Sequence, residues 1–382
     1  MSKRESIHIK NLGPLTDVEI DDIKSLTVLI GDSGSGKSTI LKTLAMFQWV
    51  FKMMNIRSYL ALAGVQRSPF RFSWDSLMGN AGFEQALKKD TEIVYTNGNC
   101  TITYKDRKLN TSYKLSADEL SLEKISFISD KRNLIPDILS AKISKKVDSF
   151  YLNETLEDFK LATRSIKLHK LPFLGVNLSV EKTNNGEKFF IKGQDGDYKV
   201  NFEDASSGMQ NVTPLSVIVD YFSKEYDVVK AMNQMILKYL TEADDLKSFS
   251  AAKNVGEIAQ RNIHIHIEEP ELSLYPERQK ELMDSLIERC FADESAVNMS
   301  IMMATHSPYI VNYINLLTQR AKQNVENAPQ IAYDKIDVYE VADGTVNSLK
   351  LNDEKHLVDT RLMSDPISDI YREYNTLNGG VR

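Results

Sequence analysis

Leu26-Thr-Val-Leu-Ile30, followed at once by Gly31-Asp-Ser-Gly-Ser-Gly36-Lys37-Ser38-Thr39, is the stretch on which the reading of this chain turns. A short apolar run reads as a strand, and the apolar residues from Ile40 onward predict a helix over 38–54. Between them lies G-x-x-x-x-G-K-[ST] in the strand–loop–helix setting that gives the pattern its meaning. Glycines at 31, 34 and 36 permit unusual backbone angles, so that the N–H groups of Asp32, Ser33 and Ser35 can turn inward around a phosphate. The helix N-terminus adds partial positive charge. Lys37 is placed to reach the β- and γ-phosphates, and Ser38 to ligate Mg²⁺.

A second stretch answers the first. Ile263-His-Ile-His-Ile267-Glu268-Glu269-Pro270-Glu271 is a β-branched run that ends in acids. A parallel strand delivers its last residues to the sheet edge that holds the phosphate loop. One carboxylate there serves Mg²⁺, and its neighbour orients or deprotonates a water. His264 and His266 share a strand face, and they read as packed histidines in preference to metal ligands.

Outward from these motifs, strands are predicted at Ser6–Lys10 and Val18–Ile20, with a turn at Gly13–Pro14. A hairpin is predicted over Thr91–Lys105 around Asn97–Gly98, and alternating strands over Val176–Asn201. Residues 131–170 and 215–260 read as helical. The last third alternates strand, helix, strand, helix, strand, which predicts a layered α/β core. The 131–170 segment carries nine Lys and Arg against five acids within a chain of net charge −6. A solvated helix face is its first reading, and DNA contact the alternative. In the helix after Pro276, Leu282, Leu286 and Cys290 form a core-facing stripe.

Composition sets the outer limits. The 382 residues are 42% hydrophobic and 26% charged, which excludes disorder and a strongly basic nucleic-acid coat. The two cysteines, Cys100 and Cys290, stand in no metal or redox spacing and suit idle thiols in a reducing compartment. No apolar run is long enough to span a bilayer, and the start of the chain lacks a signal-peptide core. The expectation is a cytoplasmic protein without membrane contact.

Four motifs in order resemble those of the ABC-type ATPases of the RecF, SMC and OLD kind, in particular the AAA15/AAA21 group. They are Gly31–Thr39, Ser206-Ser-Gly-Met-Gln210, Ile267–Pro276 and Ala304-Thr-His-Ser-Pro308. The resemblance implies one ABC-type α/β head over residues 1–382, with a mixed sheet core and an antiparallel β subdomain. Insertions are expected at about 55–175, a hairpin plus helices, and at about 222–259, helical. It implies ATP and Mg²⁺ as cofactors, bound by Gly31, Asp32, Ser33, Gly34, Ser35, Gly36, Lys37, Ser38 and Thr39. Glu268, with Ser38, resembles the Mg²⁺-side pair. Glu269 resembles the catalytic base, and His306 the residue that senses the γ-phosphate. Ser207 and Gly208 resemble the signature that completes the ATP site of a second subunit, and Ser273–Pro276 the D-loop.

The match has departures. The signature reads SSGMQ where LSGGQ is usual, and Pro214 is expected to interrupt or restart its helix. Gln66 is the candidate Q-loop residue. Asp130-Lys-Arg132-Asn133 resembles an I-P-x-E-R segment of these ATPases, with Asp-Lys in place of its small-acidic pair. The 76 residues after His306 are fewer than a Toprim nuclease domain needs.

The resemblance extends to ATPase subunits of two-gene anti-phage systems of the PARIS and Septu kinds. It implies a homodimer or higher homo-oligomer closed through an ATP sandwich, a separately encoded Toprim or HNH nuclease-like effector, and a phage-derived trigger. The alternatives are a RecF/SMC-like DNA-repair ATPase and an ATP-locked oligomeric scaffold with slow hydrolysis.

Overall fold

The computed structural model describes residues 4–65, 82–83, 85–143, 149–164, 166–184, 186–242, 254–291, 297–351 and 356–377. Strands β1 (Glu5–Leu12), β2 (Leu15–Ile20) and β3 (Leu26–Ile30) lead into helix α1 (Lys37–Leu62). Next come β4 (Leu87–Asn97), β5 (Cys100–Lys105), β6 (Lys108–Asn110), β7 (Ser121–Ile128), the short α2 (Ile135–Leu139) and α3 (Phe150–Thr163). Strands β8 (Leu168–Leu171), β9 (Val176–Thr183), β10 (Gly186–Gly193) and β11 (Lys199–Asn201) precede α4 (Ser207–Lys224) and α5 (Val228–Glu242). The last third is β12 (Gln260–Glu268), α6 (Pro276–Phe291), β13 (Asn298–Thr305), α7 (Pro308–Lys322), β14 (Ile336–Ala342), β15 (Thr345–Ser348) and α8 (Arg361–Leu377).

The central sheet runs β15-β14-β3-β13-β12-β7. Its five strands from β14 to β7 are mutually parallel, and only β15 is antiparallel. All five residues of β3 are buried, as a strand in the middle of a parallel sheet requires. Helix α1 packs on β7, β12 and β13, and α6 packs on β13 and α7. Two antiparallel sheets, β2-β1-β4-β5-β6 and β11-β10-β9-β8, complete the mixed α/β fold.

Several sequence expectations need correction. Residues 131–170 are not one helix: a 3₁₀ turn, two helices and strand β8 divide the described part, while Lys145, Lys146 and Asp148 lie outside the described residues. That segment also holds less open charge than its count suggests. Arg132 is fully buried, Lys142 pairs with Asp204, and Lys160 pairs with Glu157. The 215–260 helix is likewise two helices and a short 3₁₀ turn before β12, with 243–253 outside the described residues. Pro214 does not interrupt α4, which runs through it; the lost N–H leaves only the Gln210 carbonyl without a helical partner. The hairpin turn is Gly98–Asn99, one residue later than expected, because Asn97 pairs with Cys100.

Both cysteines are free thiols, Cys100 buried and Cys290 partly so. Among the described residues no helix is long and apolar enough to cross a membrane.

Candidate functional site

The phosphate loop is shaped by contacts that only glycine permits. Gly31, Gly34 and Gly36 have φ of 152°, 80° and 110°. A Cβ on Gly31 would strike the carbonyl of Val341 in β14, and one on Gly36 would strike the Leu15 side chain. Helix α1 starts directly behind the loop, with Gly36 as its N-cap. Lys37 is buried, and its Nζ donates to Gly31 O and Asp32 O at 2.8 Å each, which stretches the ammonium along the loop. Burial lowers its pKa, against the pull of Glu269, Asp32 and Glu271.

The parallel register carries the carboxylates to the same edge. Glu268 pairs with Ala304 of β13, and Thr305 of β13 pairs with Ile30, the residue before the loop. Glu268 is 2% exposed, and its Oε1 lies 2.8 Å from Lys42 Nζ on α1. Burial raises its pKa; Lys42 and the Ser38 hydroxyl draw it back toward the ionised form. Its Oε2 is buried with no hydrogen-bond partner. An unpaired carboxylate oxygen beside a serine hydroxyl and a phosphate loop fits a hard divalent cation, which takes few protein ligands and completes its shell with phosphate and water.

Glu269 is half exposed and has a left-handed backbone, φ 44°, directly before Pro270. Neither feature is comfortable for a glutamate. Its N–H donates to Ala304 O at 2.8 Å, which fixes the turn to the end of β13. His306 follows β13, with Nε2 3.9 Å from Glu269 Oε1. Its own N–H donates to Glu271 Oε1 at 2.6 Å. Ser307 then caps α7, its hydroxyl accepting from the N–H groups of Tyr309 and Ile310.

Ser207 and Gly208 belong to a separate element. They open α4, capped by Ser206, whose hydroxyl accepts from Met209 N–H. Ser207 is exposed. No hydrogen bond or ion pair among the described residues joins either to the phosphate loop. Gly208 packs on Ser273, where a Cβ would lie 3.0 Å from the Ser273 carbonyl, and Asn211 Nδ2 bridges Ser207 O (2.9 Å) and Ser273 Oγ (3.3 Å). Gln66 lies outside the described residues.

One participant, Lys42, was missed in the sequence, and a second, Arg132, was named there only through a motif resemblance. Lys42 could have been found from helical spacing, since it stands one turn after Ser38 on the same face. Arg132 carried no local signal of its contacts, which join segments far apart in the chain: its guanidinium reaches the carbonyls of Ser129, Asn211, Glu268 and Glu269. His264 and His266 are packed, bonded to Glu123, Ser300 and Gln48. Among the described residues no cluster of three or more His, Cys, Asp or Glu is placed to hold a metal ion.

Residues 3–170, a little under half of the chain, match the AAA ATPase domain family. Solved structures similar to the chain include an SMC head bound to the C-winged helix domain of ScpA, at 15% identity and TM-score 0.37, covering 93% of this chain and 99% of that one. The recombination mediator RecF of the RecFOR pathway is similar at 12% identity and TM-score 0.37, over 91% and 98%. A nucleotide-free ATP-binding cassette from an ABC transporter is similar at 13% identity and TM-score 0.35, over 95% and 96%. No curated protein matches the chain. The strand–loop–helix and the carboxylates beside it sit in a mixed α/β fold, and the part of the chain that carries the phosphate loop is similar to the AAA ATPase domain family.

Proposed function

We propose that the chain binds ATP with Mg²⁺ and hydrolyses it in a site shared between two copies, and that the nucleotide state governs a separately encoded effector. One observation carries the chemistry. The phosphate loop, the buried Glu268 with its unpaired oxygen, Glu269 and His306 converge on one edge of the sheet.

Gly31–Gly36 and the start of α1 would hold the β-phosphate by backbone N–H groups, and Lys37 would neutralise charge on the β- and γ-phosphates. Ser38 and Glu268 would hold Mg²⁺, which when bound neutralises phosphate charge. Glu269, fixed by its turn, would orient a water in line with the γ-phosphate. The water oxygen forms the new P–O bond, the bond to the β-phosphate oxygen breaks, and the water proton leaves toward Glu269. His306, with Nε2 3.9 Å from Glu269 Oε1, would sense the γ-phosphate, as the motif resemblance implies.

Ser207 and Gly208 make no hydrogen bond to their own loop among the described residues, and at the start of α4 they suit a phosphate presented by another copy. Two side chains near the site are open to solvent in the single chain, Tyr275 at 77% and Tyr309 at 54% exposure, as a surface awaiting a second copy would leave them. Control of an effector rests on the four-motif resemblance to ATPase subunits of two-gene anti-phage systems.

Mixing tests the shared site. Ser207→Arg and Lys37→Ala chains are each inactive on this reading, and together regain some hydrolysis through the one intact composite site. Absence of rescue, with mixed dimers demonstrated, defeats it. For the output, the chain is expressed alone and with its genomic neighbour during phage challenge. Protection that needs both genes and fails in Lys37→Ala supports the effector reading; nucleic-acid cleavage by this chain alone defeats it, and DNA-stimulated hydrolysis without a partner favours the repair reading.

A further inference from the structure

Arg132 is fully buried in a 3₁₀ turn after β7, and among the described residues it makes no ion pair. Its guanidinium instead donates to four backbone carbonyls. Nε reaches Asn211 O at 2.9 Å, Nη1 reaches Ser129 O at 3.1 Å and Glu268 O at 2.7 Å, and Nη2 reaches Glu269 O at 2.6 Å. Burying a cation is costly, and a well-packed apolar side chain would serve stability at least as well. A fork that satisfies carbonyls from three distant segments gives something an apolar residue cannot, a fixed relative position.

Those segments are the ones the chemistry needs. Two of the carbonyls belong to the carboxylate pair, and one belongs to Glu269, whose left-handed backbone before Pro270 persists only if its surroundings enforce it. The Asn211 carbonyl lies in the first turns of α4, and the Asn211 side chain in turn donates to Ser207 O and to Ser273 Oγ. The path from Ser207 to Glu269 therefore passes through two residues, Asn211 and Arg132.

We propose that Arg132 is a positioning residue that ties the Glu268–Glu269 loop of a chain to that chain's own signature helix. Given the two-copy site proposed above, on which this inference rests, the helix serves the neighbour's nucleotide while the loop serves the chain's own. Engagement of Ser207 by the neighbour is then felt at Glu269, and the two sites of a dimer fire cooperatively. In this role Arg132 acts through the Glu269 backbone and needs no contact with nucleotide or water.

The first test is Arg132→Lys, which keeps the charge but lacks the fork. The expectation is a kcat lower by about 10- to 100-fold, as a small misplacement of a catalytic group produces, with ATP affinity unchanged and the Hill coefficient reduced to 1. A purely structural residue would lower the melting temperature and leave kcat per folded chain and the Hill coefficient untouched, and that result overturns the proposal. The second test leaves Arg132 in place. In mixed dimers, a mass-labelled Lys37→Ala chain is paired with a Glu269→Gln partner that retains ATP, and amide exchange is followed in the labelled chain. Protection at 207–213 accompanied by protection at 267–271 is expected, although the labelled chain holds no nucleotide of its own. Protection confined to 207–213 refutes the coupling and leaves the two-copy site standing. No protection at either segment, with mixed dimers demonstrated, removes the two-copy site itself.

Discussion

Strand β12 carries a buried polar cluster at each end, and the two are built on opposite terms. At the end that meets the phosphate loop, Glu268 Oε2 and Glu271 Oε2 are buried and unpaired, and Lys37 lies along loop carbonyls. Toward the other end, His266 Nε2 donates to Gln48 Oε1 at 2.7 Å, and Gln48 Nε2 donates to Glu5 at 2.7 Å and lies 3.2 Å from His264 Nδ1. His264 Nε2 lies 2.9 Å from Glu123, and Tyr95 donates to Glu5 at 2.7 Å. His266 Nδ1 is the one ring nitrogen of this pair left without a partner. A polar cluster that satisfies itself joins elements together, here α1 to β12, β7 and β1. A cluster that leaves oxygens unpaired beside a cation and a helix start is waiting for a ligand.

The largest expected break is Lys37→Ala, which abolishes nucleotide binding measured by calorimetry. Binding at undiminished affinity would dissolve the distinction between the two ends. Glu269→Gln comes next. ATP stays bound while steady-state hydrolysis falls by roughly 100-fold or more, in line with loss of a positioned base. Unchanged turnover would strip Glu269 of its role.

At the closed end the effects belong to folding alone. Gln48→Leu removes the hub and leaves buried partners unsatisfied, at a cost of about 1–3 kcal/mol in chemical denaturation. Hydrolysis per folded chain is unaltered; a fall in kcat without a fall in stability would mean the two clusters are not separate devices. The smallest effect is one of pH. Burial, and after it the neighbouring His264, pushes His266 down to about 3 from its ordinary 6.5. Between those values the unfolded chain binds the extra proton, so stability is full above 6.5 and is lost as pH falls toward 3. His266→Gln should flatten the acid side of a melting-temperature profile. His264 acts in the other window: burial pulls it down, but Glu123 and Glu5 outweigh that and its pKa is raised. An unaltered acid slope in His266→Gln would show that this ring does not titrate as its burial demands.

The open end was legible in the sequence because its chemistry is local. Gly31–Thr39 and Ile263–Glu269 each contain their own strand, turn and functional groups; the observed β3 and β12 cover the predicted strands, whereas α1 runs eight residues past the predicted end at 54, to Leu62. The failures share a cause. The run 131–170 has helical composition, but tertiary contact decides its form: Arg132 is held in the core by three distant carbonyls, of Asn211, Glu268 and Glu269, and Leu168–Leu171 is captured as a strand by Val176–Ser179. Pro214 reads as a breaker, yet packing on both flanks keeps α4 continuous around it. Lys42 was passed over because an isolated lysine in an apolar helix carries no motif, although its spacing from Ser38 was there to be read.

The position of β3 in the central sheet bears on how the protein is made. The strand that feeds the phosphate loop lies between β13 and β14, and its residues pair with Ile301–Thr305 on one side and Ile336–Glu340 on the other. On a ribosome, Leu26–Ile30 emerges roughly 270 residues before the first of these neighbours, a delay of about 15–55 s at ordinary rates of synthesis. Throughout that interval a strand that is wholly buried in the finished fold lacks both of its neighbours. The loop cannot take its glycine-dependent shape either, since Val341, which Gly31 abuts, has yet to be made. Only a chain carried through β14 can give its first motif the strand partners and the loop contact that the folded protein shows.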